Sequence, residues 1–168
     1  PIGYLLLSLM SGSVLLNGLL AVFGYAATVV ILLAVVALFA ALVWKIAYWR
    51  FLDGTRSIST AESATGLGEF GRVHLFEAPH TEANYLMKEM GFQIARKHAA
   101  VLRKIALGAG FILPILLILL GLTLGGAGLI VAASLAVIIM AIGIVTERWL
   151  FFAEARHTVG LYYGASHA

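Results

Sequence analysis

The first 44 residues, Pro1 to Trp44, contain no Asp, Glu, Lys or Arg. One helical membrane crossing uses about 20 mainly apolar residues at 1.5 Å of rise each, so this run is about twice what a single crossing needs. Two spans must share it. The whole chain has the same character, with 62% hydrophobic and 11% charged residues, against roughly 45–50% and 25% in soluble domains. The fold class this predicts is all-α: a polytopic transmembrane helical bundle forming a single integral membrane domain over 1–168. A soluble enzyme domain is excluded. The formal charge of +3 reads as basic loops that set topology and not as a nucleic-acid surface. With no cysteine in the chain, disulfides, thiolate metal sites and thiolate-held iron–sulfur clusters are excluded as well.

The expected spans are about 2–22, 26–49, 105–124 and 127–152, arranged as two hairpins. The first hairpin turns at Phe23-Gly24-Tyr25, where glycine can take a positive φ. The second turns at Gly125-Gly126-Ala127-Gly128. Pro114 is expected to kink the third span without ending it. Nine of the eleven Lys and Arg residues lie between Lys45 and Lys104, and Arg148 and Arg156 fall beside or after the fourth span. Cations concentrate on the cytoplasmic side of a membrane, so the loop 50–104 and both chain ends are expected there, in a bacterial inner membrane. Trp44, Tyr48 and Trp49, with Trp149, Phe151 and Phe152, supply aromatic anchors at that same face. The chain opens on Pro1 and enters an apolar run without a basic leader. It therefore reads as a fragment of a longer protein, not as one carrying a signal peptide.

Within the loop, Thr55 to Pro79 is rich in Ser, Thr and Gly and reads as irregular. Thr81 can cap an amphipathic helix that leads unbroken into the third span. At about 100° per residue, Leu86, Met87, Met90, Ile94, Val101 and Ile105 share one face of that helix, which can lie on membrane or on protein. Tyr85, Lys88, Phe92, Arg96 and Arg103 share another, which is either a docking surface for a peripheral partner or a solvated face with cations reaching the headgroups.

Gly66-Leu67-Gly68-Glu69-Phe70-Gly71 matches the dinucleotide-binding pattern by letter. That pattern works only between a strand and a helix, so the segment reads as a connector. The histidines, His74, His80, His98, His157 and His167, all fall outside the spans, where no pair can ligate a buried haem. No metal site is expected. Glu147 and Arg148 are the most informative charges, because they precede the apolar stretch Trp149 to Ala153 and so sit at a depth where charges need partners. Adjacent residues diverge on a helix, so each is expected to find a separate partner. Glu147, Phe151 and Glu154 share a face with His157 near it. Quinol oxidation releases protons, and Glu147, Arg148, Glu154, His157 and His98 are the candidates for binding quinol or accepting them. The competing reading of Glu147 and Arg148 is a structural ion pair that locks the helix end to a neighbouring span.

Several segments resemble the membrane anchor subunit family of dimethyl sulfoxide reductase. They are Tyr48-Trp49-Arg50 with Asp53, Ser63-Ala64-Thr65-Gly66-Leu67-Gly68, Glu77-Ala78-Pro79-His80-Thr81, Asn84-Tyr85-Leu86, Glu89-Met90-Gly91, Ala95-Arg96-Lys97-His98-Ala99, and Glu147 to Ala155 with His157. The resemblance implies an integral subunit that binds quinol and passes electrons to an iron–sulfur subunit, which in turn serves a molybdopterin catalytic subunit in anaerobic respiration. The anchor holds no cofactor of its own in this family. Members carry twice as many spans, so the resemblance is to a C-terminal half, and the family's quinol-site histidine and carboxylate have no match here. Two other functions fit the spans alone: half of a secondary transporter, or a structural anchor for a soluble partner.

Overall fold

A computed structural model describes residues 2–55, 59–74, 76–77, 93–155 and 161. Among these it is all-helical, and four helices are long and apolar enough to cross a membrane. The first spanning helix, α1, runs Ile2–Val22 and the second, α2, runs Thr28–Gly54. In the loop, α3 is Ala61–Thr65, and Gly68–Phe70 forms a single 3-10 turn. A short lead-in helix, α4 (Gln93–Lys97), precedes the third crossing, Ala99–Leu124, which is assembled from α5 (Ala99–Leu107), a π-helical turn at Gly108–Ile112 and α6 (Leu113–Leu124). The fourth, α7, is Gly126–Ala153.

The first hairpin turns where the sequence places it. Gly24 has φ 80°, and the amides of Gly24 and Tyr25 bond back to Ala21 O and Leu20 O at 3.0 and 2.8 Å. That pair of bonds is the Schellman closure, which satisfies carbonyls that a helix end leaves open. The second turn is tighter than expected. Gly125 and Gly126 take φ 64° and 45°, so α7 already begins at Gly126 and Gly128 lies within its first turn.

Because lipid solvates Leu and Ile as well as protein does, burial in a membrane bundle selects small side chains that let backbones approach. The interior stripe of α2 is Ala34, Leu38, Ala41, Lys45 and Trp49, and that of α7 is Ala133, Ala136, Met140, Gly143, Glu147 and Leu150. Both run at the three- and four-residue spacing of one helix face. Helix α7 is central: it packs on α1, on α5, on the π turn and on α6. At Gly110 and Gly143 the third and fourth crossings meet backbone to backbone.

The π turn lies just before Pro114, with the Leu113 amide bonded to Gly108 O, five residues back. Proline lacks the amide that would continue an α-helical ladder, and the wider turn accommodates that loss within an unbroken crossing. The lead-in helix differs from expectation at His98, where a break separates α4 from α5. On its bulky apolar face Ile94, Val101 and Ile105 are exposed and do not pack into the bundle. The small side chains of Ala95 and Ala106 face the bundle instead. The part of that helix predicted from Thr81 to Phe92 lies outside the described residues.

Candidate functional site

Lys45 and Glu147 occupy the interior stripes of α2 and α7, 4% and 0% exposed. Their side chains form an ion pair across the two helices. Arg148, next in sequence to Glu147, curls back onto the same carboxylate. Its Nε donates to Oε2 at 2.5 Å and its Nη2 to Oε1 at 2.9 Å. This corrects the expectation of separate partners: the backbone directions do diverge, but an arginine side chain is long and forked enough to return to its neighbour. One buried carboxylate thus serves two cations.

Aromatic rings complete the setting of both cations. The Lys45 ammonium lies 4.7 Å from the ring centres of both Tyr48 and Trp49. The Arg148 guanidinium lies 4.9 Å from Tyr4 and 5.0 Å from Phe151. Ring faces carry partial negative charge, so they stabilise a desolvated cation where water cannot. Trp49 is therefore turned inward, whereas Trp44, Trp149 and Phe152 keep the exposed position of interfacial anchors.

Beside this cluster, between the first turns of α1 and the final third of α2 and α7, a cleft of about 210 Å³ is lined by Tyr4, Leu7, Trp44, Lys45, Tyr48 and Arg148, among others. Glu147 lies behind its cations and does not line it.

A second polar group ties the same ends of the helices together. Arg103 of α5 grips Asp53 at the end of α2 with two bonds of 2.7 and 2.9 Å, and reaches Glu154 after α7 at 2.7 Å. Its guanidinium also lies 5.3 Å from the Trp49 ring. Arg96 donates to the carbonyls of Ala153 and Ala155 at 3.0 and 3.2 Å, where the end of α7 leaves acceptors unsatisfied. Glu154 Oε2 is buried and makes no hydrogen bond among the described residues.

The candidate residues are therefore distributed among different places. Glu147 and Arg148 stand together at the cleft. Glu154 belongs to the Arg103 latch, and His98 is exposed at the break between α4 and α5. His157 and the docking candidates Tyr85, Lys88 and Phe92 lie outside the described residues. The other two docking candidates, Arg96 and Arg103, direct their guanidinium groups to the ends of α2 and α7. Lys45 is absent from the sequence candidates, although its signal is the same as that of Glu147: a charge ahead of an aromatic run, inside the predicted span. In the loop, Gly66 takes φ 71° and closes α3, whose Thr60 cap bonds the Ser63 amide. No strand precedes that glycine among the described residues.

The chain is 29% identical over 130 residues to a sulfite dehydrogenase subunit of Allochromatium vinosum, covering 77% of this chain and 39% of that protein. It therefore spans well under half the length of the curated relative it matches. No protein-family description matches the sequence. No solved structure matches it.

Proposed function

We propose that this chain belongs to the membrane anchor subunit of a molybdopterin oxidoreductase of the dimethyl sulfoxide reductase type. In this reading it binds quinol and serves anaerobic respiratory electron transfer to an iron–sulfur subunit. The observation that carries the reading is the Lys45–Glu147–Arg148 cluster, a buried charged group at one end of a mainly apolar bundle. Ionisable groups inside membrane segments are costly, and they persist where they act on substrates, ions or protons. Two cations, ringed by aromatic side chains and opening on a cleft that adjoins lipid, suit a planar molecule with polar oxygens and an apolar tail. The likeness to a sulfite dehydrogenase subunit supports a redox complex in place of a carrier. The redox centres of such a complex would lie in partner subunits, with this chain supplying the membrane seat and the quinol site.

The test is purification of the full-length protein from its native membrane in mild detergent, followed by optical and EPR spectra of whatever accompanies it. Iron–sulfur and molybdenum signals that a quinol analogue reduces are the expected result. An isolated polytopic protein with no accompanying redox centre refutes the proposal.

A further inference from the structure

We infer that the outward face of α4 and α5 is a binding surface for an anionic phospholipid head group, with Lys97 and Lys104 as its two cationic contacts. This surface lies apart from the cleft and does not depend on the quinol-linked reading. Residues two apart on a helix point about 200° from each other. Ala95 and Lys97 stand in that relation on α4, and Lys104 and Ala106 on α5. Ala95 and Ala106 are buried on the bundle side, so both lysines point almost directly away from it, and both are exposed. Ile94, Val101 and Ile105 are exposed beside them.

The neighbouring arginines have what these lysines lack. Arg96 and Arg103 turn to the ends of α2 and α7, where Arg103 takes up both Asp53 and Glu154. Neither lysine makes an ion pair among the described residues. Depth then separates a lipid from a soluble protein as the source of counter-charge. Lys104 lies inside the third crossing, Ala99–Leu124, and Ile112 and Leu116 are exposed further along it. A soluble partner stays above that level, whereas a phospholipid brings acyl chains to the aliphatic side chains and a phosphate to the ammonium groups. Side chains tilt toward the N-terminus of their helix, which here is the loop end. The Lys104 stem therefore reaches out of the hydrocarbon toward Lys97, about 10 Å away along the axis. No acidic residue stands between the two lysines in the sequence. Such a pair favours a head group of net negative charge over a zwitterionic one, whose phosphate already carries its own cation.

The experiment is photolabelling of the full-length protein in phosphatidylcholine vesicles that contain a trace of phosphatidylglycerol with a photoreactive group near its head group, followed by peptide mapping. Label is expected on the segment from Ile94 to Ile105, displaced by unlabelled phosphatidylglycerol and not by phosphatidylethanolamine. A lysine near a membrane surface strengthens attraction to anionic lipid about fivefold, so Lys97→Gln and Lys104→Gln should each cut labelling of this segment about fivefold and the double variant about twenty-fold. Lys97→Arg with Lys104→Arg keeps the charge and should keep the label. Equal labelling by phosphatidylglycerol and phosphatidylcholine probes, or labelling that survives the double glutamine variant, overturns the inference. Label that appears only after companion proteins are stripped from protein isolated from its native membrane makes the face a protein interface and overturns it as well.

Discussion

The backbone contact between Gly110 and Gly143 makes an asymmetric prediction about two glycines that face each other. A Cβ placed on Gly143 would lie 2.0 Å from Gly110 N and 2.3 Å from its Cα, with nothing flexible to move aside. Ordinary contact begins at 3.4 Å, so the third and fourth crossings must separate by about 1.4 Å. A Cβ on Gly110 meets Gly143 C at 3.5 Å and needs no movement. Gly108, in the same π turn, has open space around its Cβ position and serves as the control. Over-packing a close contact costs about 1–3 kcal/mol, and Gly→Ala in a helix returns about 0.5–1 kcal/mol where room exists. The helix gain is common to both variants, so Gly143→Ala should fall about 1–3 kcal/mol below Gly108→Ala, a Tm gap on the order of 5 °C for a chain of this size. Gly110→Ala should stay with the control. Thermal unfolding of the three variants in one detergent, followed by helical circular dichroism, decides the matter. If Gly143→Ala melts within a degree or two of Gly108→Ala, the close approach of the two crossings is wrong.

Because one carboxylate serves two cations, removing it should be worse than removing either cation. Glu147→Gln, which leaves Lys45 and Arg148 without their carboxylate, should cost about 3–5 kcal/mol in the same melts, and Lys45→Met, which leaves Glu147 bonded to Arg148, clearly less; equal losses in the two variants would contradict the shared carboxylate. Arg103→Lys should loosen the ends of α2 and α7 by about 1 kcal/mol, since one ammonium cannot reproduce the two-pronged grip on Asp53 and the bond to Glu154. Hydrogen exchange at the last turn of α7 reads that loss, and unchanged exchange there would remove the latch. In the loop, Glu62 is held below the usual carboxylate range by hydrogen bonds from its own amide, the Thr60 hydroxyl and the Val73 amide. A depressed folded pKa means that its contribution is present above the unfolded value and is lost as pH falls through the folded one. The Val73 amide resonance should accordingly titrate with a midpoint below about 4.3, the value of a free glutamate, and should stop titrating in Glu62→Gln; a midpoint above that value would show the bond to be absent.

Much of the fold is legible from patterns that survive any packing arrangement. The uncharged run to Trp44 dictates two crossings whatever they touch, and Gly24 can close a helix by local bonds alone. The second reversal is legible too, though only to within a residue or two, because four small residues in a row leave its register to the packing of α6 on α7. Which face of each span turns inward is another matter. Side chains that are apolar all round give no amphipathic signal, so the interior stripes emerge only from the contacts of small residues. The lead-in helix shows the same ambiguity, since Ile94, Val101 and Ile105 suit lipid and protein equally until Ala95 and Ala106 are seen to take the bundle side. The site follows the same division. Glu147 and Arg148 betray themselves by depth, and Lys45 carries the same signal inside the expected span 26–49, but only the structure shows that it turns to the interior and meets Glu147.

The sequence by itself determined the solvent, the number of crossings and the depth of the carboxylate, because transfer free energy depends on residue type and run length alone. Only the tertiary structure decided that Lys45 and Arg148 share that carboxylate, that Glu154 belongs to a separate latch, and that a cleft opens beside the cations. Those facts depend on the rotation of each helix about its axis, and in a chain apolar on every side that rotation is set by which small residues allow two backbones to meet.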